Sequence, residues 1–431
     1  MNQKAFVAAP PLTYKNKSLY FDGVPLKEIA EKKKTPFYLY SEKTLVNQYK
    51  TFISEAKKAG ITDHQVCYAL KANPNLEILK NLAKLGLGAD IVSLGELMRA
   101  MQAGIPASKI IFSGVGKTEL EINMALKCSE IGVYAFNVES VEELELISQC
   151  AQAQNLTARI SFRLNPQVHA KTHKNISTGN KTHKFGLLED DILKAINNPK
   201  LWKNCKLVGI SIHIGSQLTE LKATDQALKK LFALCIKIKQ PLEFIDVGGG
   251  LGIDYHESQS GKIATIKDYM GLVGKHYKDL INKKVPYLKK PRILFEPGRI
   301  LMARAGVLVT RVIRQKKSDK HQFVVIDGGM NDLLRPSLYE AYHRILPENF
   351  SPKDKLTKYD VVGPICETSD CFGVDRLLPE LKTGDLIAIA DSGAYGHSMS
   401  SNYNLRGKPE EVLLQNGKWI TISKGQSYSQ Y

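Results

Sequence analysis

The chain has 431 residues, 43% hydrophobic and 24% charged, too many for one compact core and too apolar for wholesale disorder, so two domains are expected. No apolar run is long enough to cross a bilayer, and the start, MNQKAFVAAPPL, lacks a secretory hydrophobic stretch, so a soluble cytoplasmic protein with no membrane partner is expected. The net charge of +17 sits in short scattered clusters (Lys32–Lys34, Lys283-Lys284, Lys289-Lys290, Lys316-Lys317) without interleaved aromatics; it reads as solvated surface, with no nucleic-acid partner.

Along the chain, SLYFDGVPL (18–26) comes first, in an N-terminal segment (1–40) expected to pair with the β domain at the other end of the sequence. Eight apolar β-rich runs then alternate with amphipathic stretches: QVCYALK (65–71), GADIVS (88–93), IIFSG (110–114), VYAFNV (133–138), ARISFRLN (158–165), LVGISIHIG (207–215), FIDVGGG (244–250) and RILFEPG (292–298). Between the fourth and fifth, Val141, Leu144, Ile147 and Cys150 recur at helical spacing. Strand and helix alternating without hairpins imply a parallel sheet, and eight strands imply closure into a (β/α)8 TIM-like barrel over 41–300. Beyond 300 the runs 306–315, 323–327, 359–362, 385–391 and 410–415 lack intervening helices and predict a C-terminal antiparallel β domain (301–431) completing the active site.

Seven cysteines (Cys67, Cys128, Cys150, Cys205, Cys235, Cys366, Cys371) form no Cys-x-x-Cys pair and are odd in number. Reduced thiols, mostly buried, are therefore expected, with neither a disulfide framework nor a metal.

Unusual residues collect at the ends of the barrel runs, where loops form one face. Lys71 ends the first and Asp90 and Ser93 the second; His213 and Ser216 close the sixth, Gly248-Gly249-Gly250 the seventh, and Glu296-Pro297-Gly298-Arg299 the eighth. A lysine at a barrel strand end is expensive to desolvate unless its amine is paired or consumed, as in a Schiff base; alone, Lys71 reads equally well as a lysine reaching solvent. The glycines suit a phosphate cradle or a tight loop, Glu296 a pyridine nitrogen or a salt bridge with Arg299, and His213 an aromatic cofactor face or a core hydrogen bond.

In this order the pieces resemble the fold-III pyridoxal-phosphate decarboxylases, relatives of alanine racemase and of the ornithine and arginine decarboxylases. Within them the likeness is greatest to the branch acting on meso-2,6-diaminopimelate. It is carried by NPQVHAKTHKNISTG (165–179), HKFG (183–186), GGMNDLLRPSLYEAYH (328–343), CETSD (366–370) and DSGAYG (391–396).

The resemblance implies pyridoxal 5'-phosphate on Lys71, with Gly248, Gly249, Gly250, Ser216 and Arg299 around its phosphate. It puts His213 against the ring, Glu296 at the pyridine nitrogen and Tyr395 on cofactor and substrate. It makes Cys366 the general acid, assigns Arg299, Arg335, Tyr339 and Glu367 to substrate, and implies a homodimer with shared active sites in which CETSD comes from the partner chain. The implied reaction yields L-lysine and CO2 as the last step of lysine biosynthesis. Decarboxylation of ornithine, lysine or carboxynorspermidine, and noncatalytic cofactor binding, are the alternatives. A distal arginine favours a substrate whose far end carries a carboxylate. Leu94, His169, Asn175 and Ile300 depart from the family pattern at positions with no proposed catalytic role.

Overall fold

Each of the eight expected runs forms a strand in the computed structural model, which describes residues 9–169, 184–257, 263–319 and 321–427. The strands are β1 (His64–Ala69), β2 (Gly88–Ile91), β3 (Ile110–Phe112), β4 (Ala135–Val138), β5 (Ala158–Leu164), β6 (Cys205–Ile212), β7 (Phe244–Asp246) and β8 (Arg292–Phe295). Each pairs in parallel with the next, and β8 returns to β1 with Ile293 opposite His64, closing the barrel.

Several barrel helices begin at a side-chain cap. Ser140 accepts from the Glu143 N–H at 3.1 Å to start Val141–Ala153, which buries Leu144, Ile147 and Cys150 at the predicted spacing. Thr118 and Glu121 form a reciprocal capping box at Glu119–Lys127. Cys67, Ile111, Ala135, Val208, Phe244 and Leu294, all fully buried and all on barrel strands, form one core cluster.

The chain divides into two units. One, Lys50–Ile253 with Lys262–Gly298, holds the barrel. The other joins Met1–Tyr49, Asp254–Gly261 and Arg299–Tyr431, and its largest element is a nine-stranded sheet. The 13-residue strand Gly306–Ser318 pairs antiparallel with Phe37–Ser41, His321–Ile326 and Leu386–Ile389.

Two pairings in this sheet are parallel, against the antiparallel expectation: Phe37–Ser41 with Glu410–Gln415, and His321–Ile326 with Thr357–Val362. In both, a long stretch of chain separates the partners, and length permits the same direction where a tight hairpin does not. The segment 18–26 is not itself in the large sheet. Leu12–Lys15, Ser18–Phe21 and Val24–Pro25 make a separate three-stranded sheet, tied on by the Ser18–Asn349 bridge. The N-terminal strand inside the large sheet is Phe37–Ser41, buried at all five positions and so without the alternation that marks a strand in sequence.

All seven cysteines are free, but only Cys67, Cys150 and Cys235 are buried. Cys128, Cys205 and Cys371 lie at element ends and are partly exposed, and Cys366 is exposed. No helix among the described residues is long and apolar enough to cross a membrane.

Candidate active site

The barrel gathers three carboxyl groups and one lysine at the C-terminal ends of its strands. Lys71 lies just past β1 in the single turn Leu70–Ala72, and the Ala69 N–H donates to the Pro297 carbonyl at 3.2 Å. Its Nζ meets Asp90 Oδ2 at 2.6 Å; the lysine side chain is 38% exposed and the aspartate 1%. Asp246 ends β7 and accepts from the Gly248 N–H at 2.8 Å. Glu296 follows β8, with Asn137 of β4 beside it and donating to Ser113 Oγ at 3.0 Å.

Burial, followed by the neighbouring Asp246 and Asp90, holds the Glu296 carboxyl well above the usual range, against the pull of Lys71. Burial likewise pushes Asp246 up to about 6. The cluster thus relieves its excess of acid by retaining protons.

His213 lies just beyond β6, its Nδ1 accepting from the Gly249 N–H at 3.4 Å. Burial, with Arg163 and Lys71 nearby, pushes this imidazole far below its ordinary value and keeps it neutral. The three glycines are required by close chain approach. A Cβ on Gly248, Gly249 or Gly250 would come within 2.1 to 2.2 Å of the carbonyl of Ile212, Glu296 or Gly215, and Gly248 and Gly250 have φ of +70° and +95°. Ser216 is half-buried nearby in sequence. Lys71, Asp90, Asn137, Arg163, His213 and Glu296 line a cavity of about 190 Å³. Arg163 pairs with Glu139 at 2.5 Å.

The second unit gathers arginines instead. Arg299 opens the short helix Arg299–Met302; its Nη1 donates to the Tyr255 hydroxyl at 2.8 Å and its guanidinium lies 4.7 Å from the Tyr395 ring centroid. Arg335 opens Arg335–Tyr339, donates from Nη1 to His343 Nε2 at 2.7 Å, and sets its guanidinium 4.6 Å from the Tyr255 ring centroid. Arg335 is 4% exposed, forms no ion pair among the described residues, and has a buried Nε without a hydrogen-bond partner there. Burial and the Arg299 charge lower its pKa, while Tyr255, Tyr395 and Tyr339 oppose that.

Cys366 and Glu367 are exposed in the loop 366–369. Asp370 anchors that loop, accepting from the N–H groups of Met330 at 2.6 Å and Ile365 at 2.7 Å. Of the family segments, residues 170–179 with Asn175, and His183, lie outside the described residues. Sequence reasoning missed Asp246, Asn137, Arg163, Tyr255 and His343. Asp246 stands two residues before Gly248 and His343 closes GGMNDLLRPSLYEAYH, so both were within reach; Tyr255 carries no local signal.

Residues 44–303 match the family described as pyridoxal-dependent decarboxylase, pyridoxal binding domain. The diaminopimelate decarboxylase of Zymomonas mobilis is 40% identical over 420 residues, 97% of this chain and 96% of its own. This chain belongs to the diaminopimelate decarboxylase family. Solved diaminopimelate decarboxylases complexed with L-lysine are similar throughout. That of Helicobacter pylori superposes with a TM-score of 0.84 at 41% identity, over 94% of this chain and 97% of its own. That of Methanocaldococcus jannaschii gives 0.87 at 38%, over 97% and 96%.

The barrel cluster fits the cofactor of a diaminopimelate decarboxylase. Asp90 Oδ1, Asn137 Oδ1 and Ser211 Oγ belong to residues lining the cavity, are buried, and have no hydrogen-bond partner among the described residues. Such orphaned groups call for a polar occupant. A protonated ring nitrogen would answer the surplus of carboxyls, and Lys71 is the amine a carbonyl would meet.

Proposed function

We propose that this protein decarboxylates meso-2,6-diaminopimelate to L-lysine and CO2, using pyridoxal 5'-phosphate. The observation that carries the reading is Arg335, a buried guanidinium with no ion pair among the described residues. An arginine cannot shed its charge when buried, so it needs an anionic ligand. Diaminopimelate has an amino acid group at each end, and the end that does not react brings such a carboxylate.

Lys71, His213, Ser216, Gly248, Gly249, Gly250, Glu296, Arg299 and Tyr395 would hold the cofactor, which when bound takes up the electron pair that loss of CO2 leaves on the substrate. Glu296, whose proton burial retains, would share that proton with the ring nitrogen and so face it as a carboxylate. His213 stays neutral and adds no competing positive charge. Arg335 grips the distal carboxylate through paired N–H donors, with Tyr339 and Arg299 beside it in the same unit, and Glu367 takes the distal ammonium. Cys366 delivers a proton to the carbon that has lost CO2 and regains one from water.

Cys366 and Glu367 are exposed in the lone chain. We assign them to the neighbouring subunit's active site in a head-to-tail homodimer, and place the enzyme in the cytoplasm, where its free thiols stay reduced.

The test is CO2 release from meso-diaminopimelate measured beside lysine, ornithine and arginine, for wild type and Arg335→Ala. Release from diaminopimelate alone, lost in the variant, supports the reading. An Arg335→Ala protein that keeps the full preference contradicts it.

A further inference from the structure

Among the described residues Arg335 meets a neutral hydrogen-bond acceptor and an aromatic ring, and the group that fixes its direction is His343. The imidazole is fully buried. Its Nδ1 lies 2.8 Å from the Ala390 carbonyl oxygen, which can only accept, so Nδ1 carries the proton. Its Nε2 lies 2.7 Å from Arg335 Nη1, which can only donate, so Nε2 is the bare lone pair. The two contacts together specify one neutral tautomer.

Tyr255 completes the mounting. Its ring face meets the Arg335 guanidinium at 4.6 Å, and its edge meets the His343 ring at 5.2 Å with the planes 68° apart. The contrast within the same unit is Arg344, one residue further on, whose guanidinium pairs with Asp391 at 2.8 Å with both side chains buried. Arg344 is neutralised where it stands. Arg335 is oriented and left charged.

We infer that His343 is a positioning residue for distal-carboxylate recognition, an acceptor that fixes the Arg335 guanidinium through Nε2 without neutralising it. This rests on the assignment of Arg335 to the distal carboxylate. A carboxylate in place of the imidazole would hold Arg335 at least as firmly but would consume the charge the substrate needs. A purely structural role makes the opposite demand, since any group that holds Arg335 then suffices.

The experiment uses the cofactor-loaded enzyme, its loading checked by visible absorbance, and measures the Kd for L-lysine, which retains the distal carboxylate, alongside KM and kcat for diaminopimelate. In His343→Glu the Kd and KM rise about tenfold or more, the scale of a lost charge-assisted hydrogen bond, with a smaller change in kcat. His343→Gln, whose side-chain oxygen is a neutral acceptor, stays within about threefold of wild type, and His343→Phe behaves like His343→Glu. Should one variant not fold, the others decide the matter. Undiminished L-lysine affinity in His343→Glu or His343→Phe overturns the inference, as does a His343→Gln protein as impaired as His343→Phe. Arg335→Ala separates the two levels: if it too binds L-lysine normally, the assignment of Arg335 itself has failed.

Discussion

The two buried clusters solve the same problem of uncompensated charge in opposite ways. In the barrel, Asp90, Asp246 and Glu296 outnumber Lys71, and the surplus is relieved by protonation, with Glu296 driven well up and Asp246 to about 6. In the second unit, Arg299 and Arg335 have no such escape, because a guanidinium stays protonated at any pH a protein tolerates. Their neighbours are Tyr255, Tyr395 and the neutral His343. Acid that adjusts its proton content suits a cofactor whose ring nitrogen shares a proton. Fixed positive charge suits a substrate carboxylate that must be recognised whatever the pH.

Removing the centre of each cluster breaks the comparison most severely. Lys71→Ala is expected to abolish turnover and the cofactor's visible absorbance together, since no other amine lines the cavity among the described residues. Arg335→Ala is expected to lower kcat/KM for diaminopimelate about 100-fold while the absorbance survives, as truncating one member of a buried charge pair does. Cys366→Ser should lower kcat by about 100-fold, the reach of a positioned general acid, with L-lysine binding retained in a calorimetric titration.

The smallest effects lie in how stability depends on pH, and they carry opposite signs. Asp246 has a raised pKa in the folded state, so the stability it contributes is complete below its unfolded value and is lost as pH rises toward about 6. Thermal melting of cofactor-free Asp246→Asn should therefore gain on wild type as pH climbs from about 4 to about 6. His343 is depressed far below its ordinary value by burial and by Arg335, so acid favours its unfolded form. His343→Gln should gain on wild type as pH falls below about 6.5. Equal slopes for the two variants would show that the clusters do not differ as described.

The barrel was legible because its strands are short apolar runs separated by helices of ordinary periodicity, and its chemistry stands at their ends. Lys71, His213, the glycines and Glu296 could all be placed that way. Asn137 could not be singled out, because a polar residue pointing into a barrel interrupts an apolar run by one position and looks like noise. Phe37–Ser41 escaped because a strand buried on both faces does not alternate. Tyr255 is the hardest case. Its meaning lies in Arg299 and Arg335, 44 and 80 residues further along, and only folding makes them neighbours.

The most direct test of the account is to reduce the cofactor-loaded protein with borohydride and map the modified peptide by mass spectrometry. The account predicts a single cofactor-bearing peptide containing Lys71, with the visible absorbance bleached. A cofactor attached at another lysine, or no attachment at all, would contradict it.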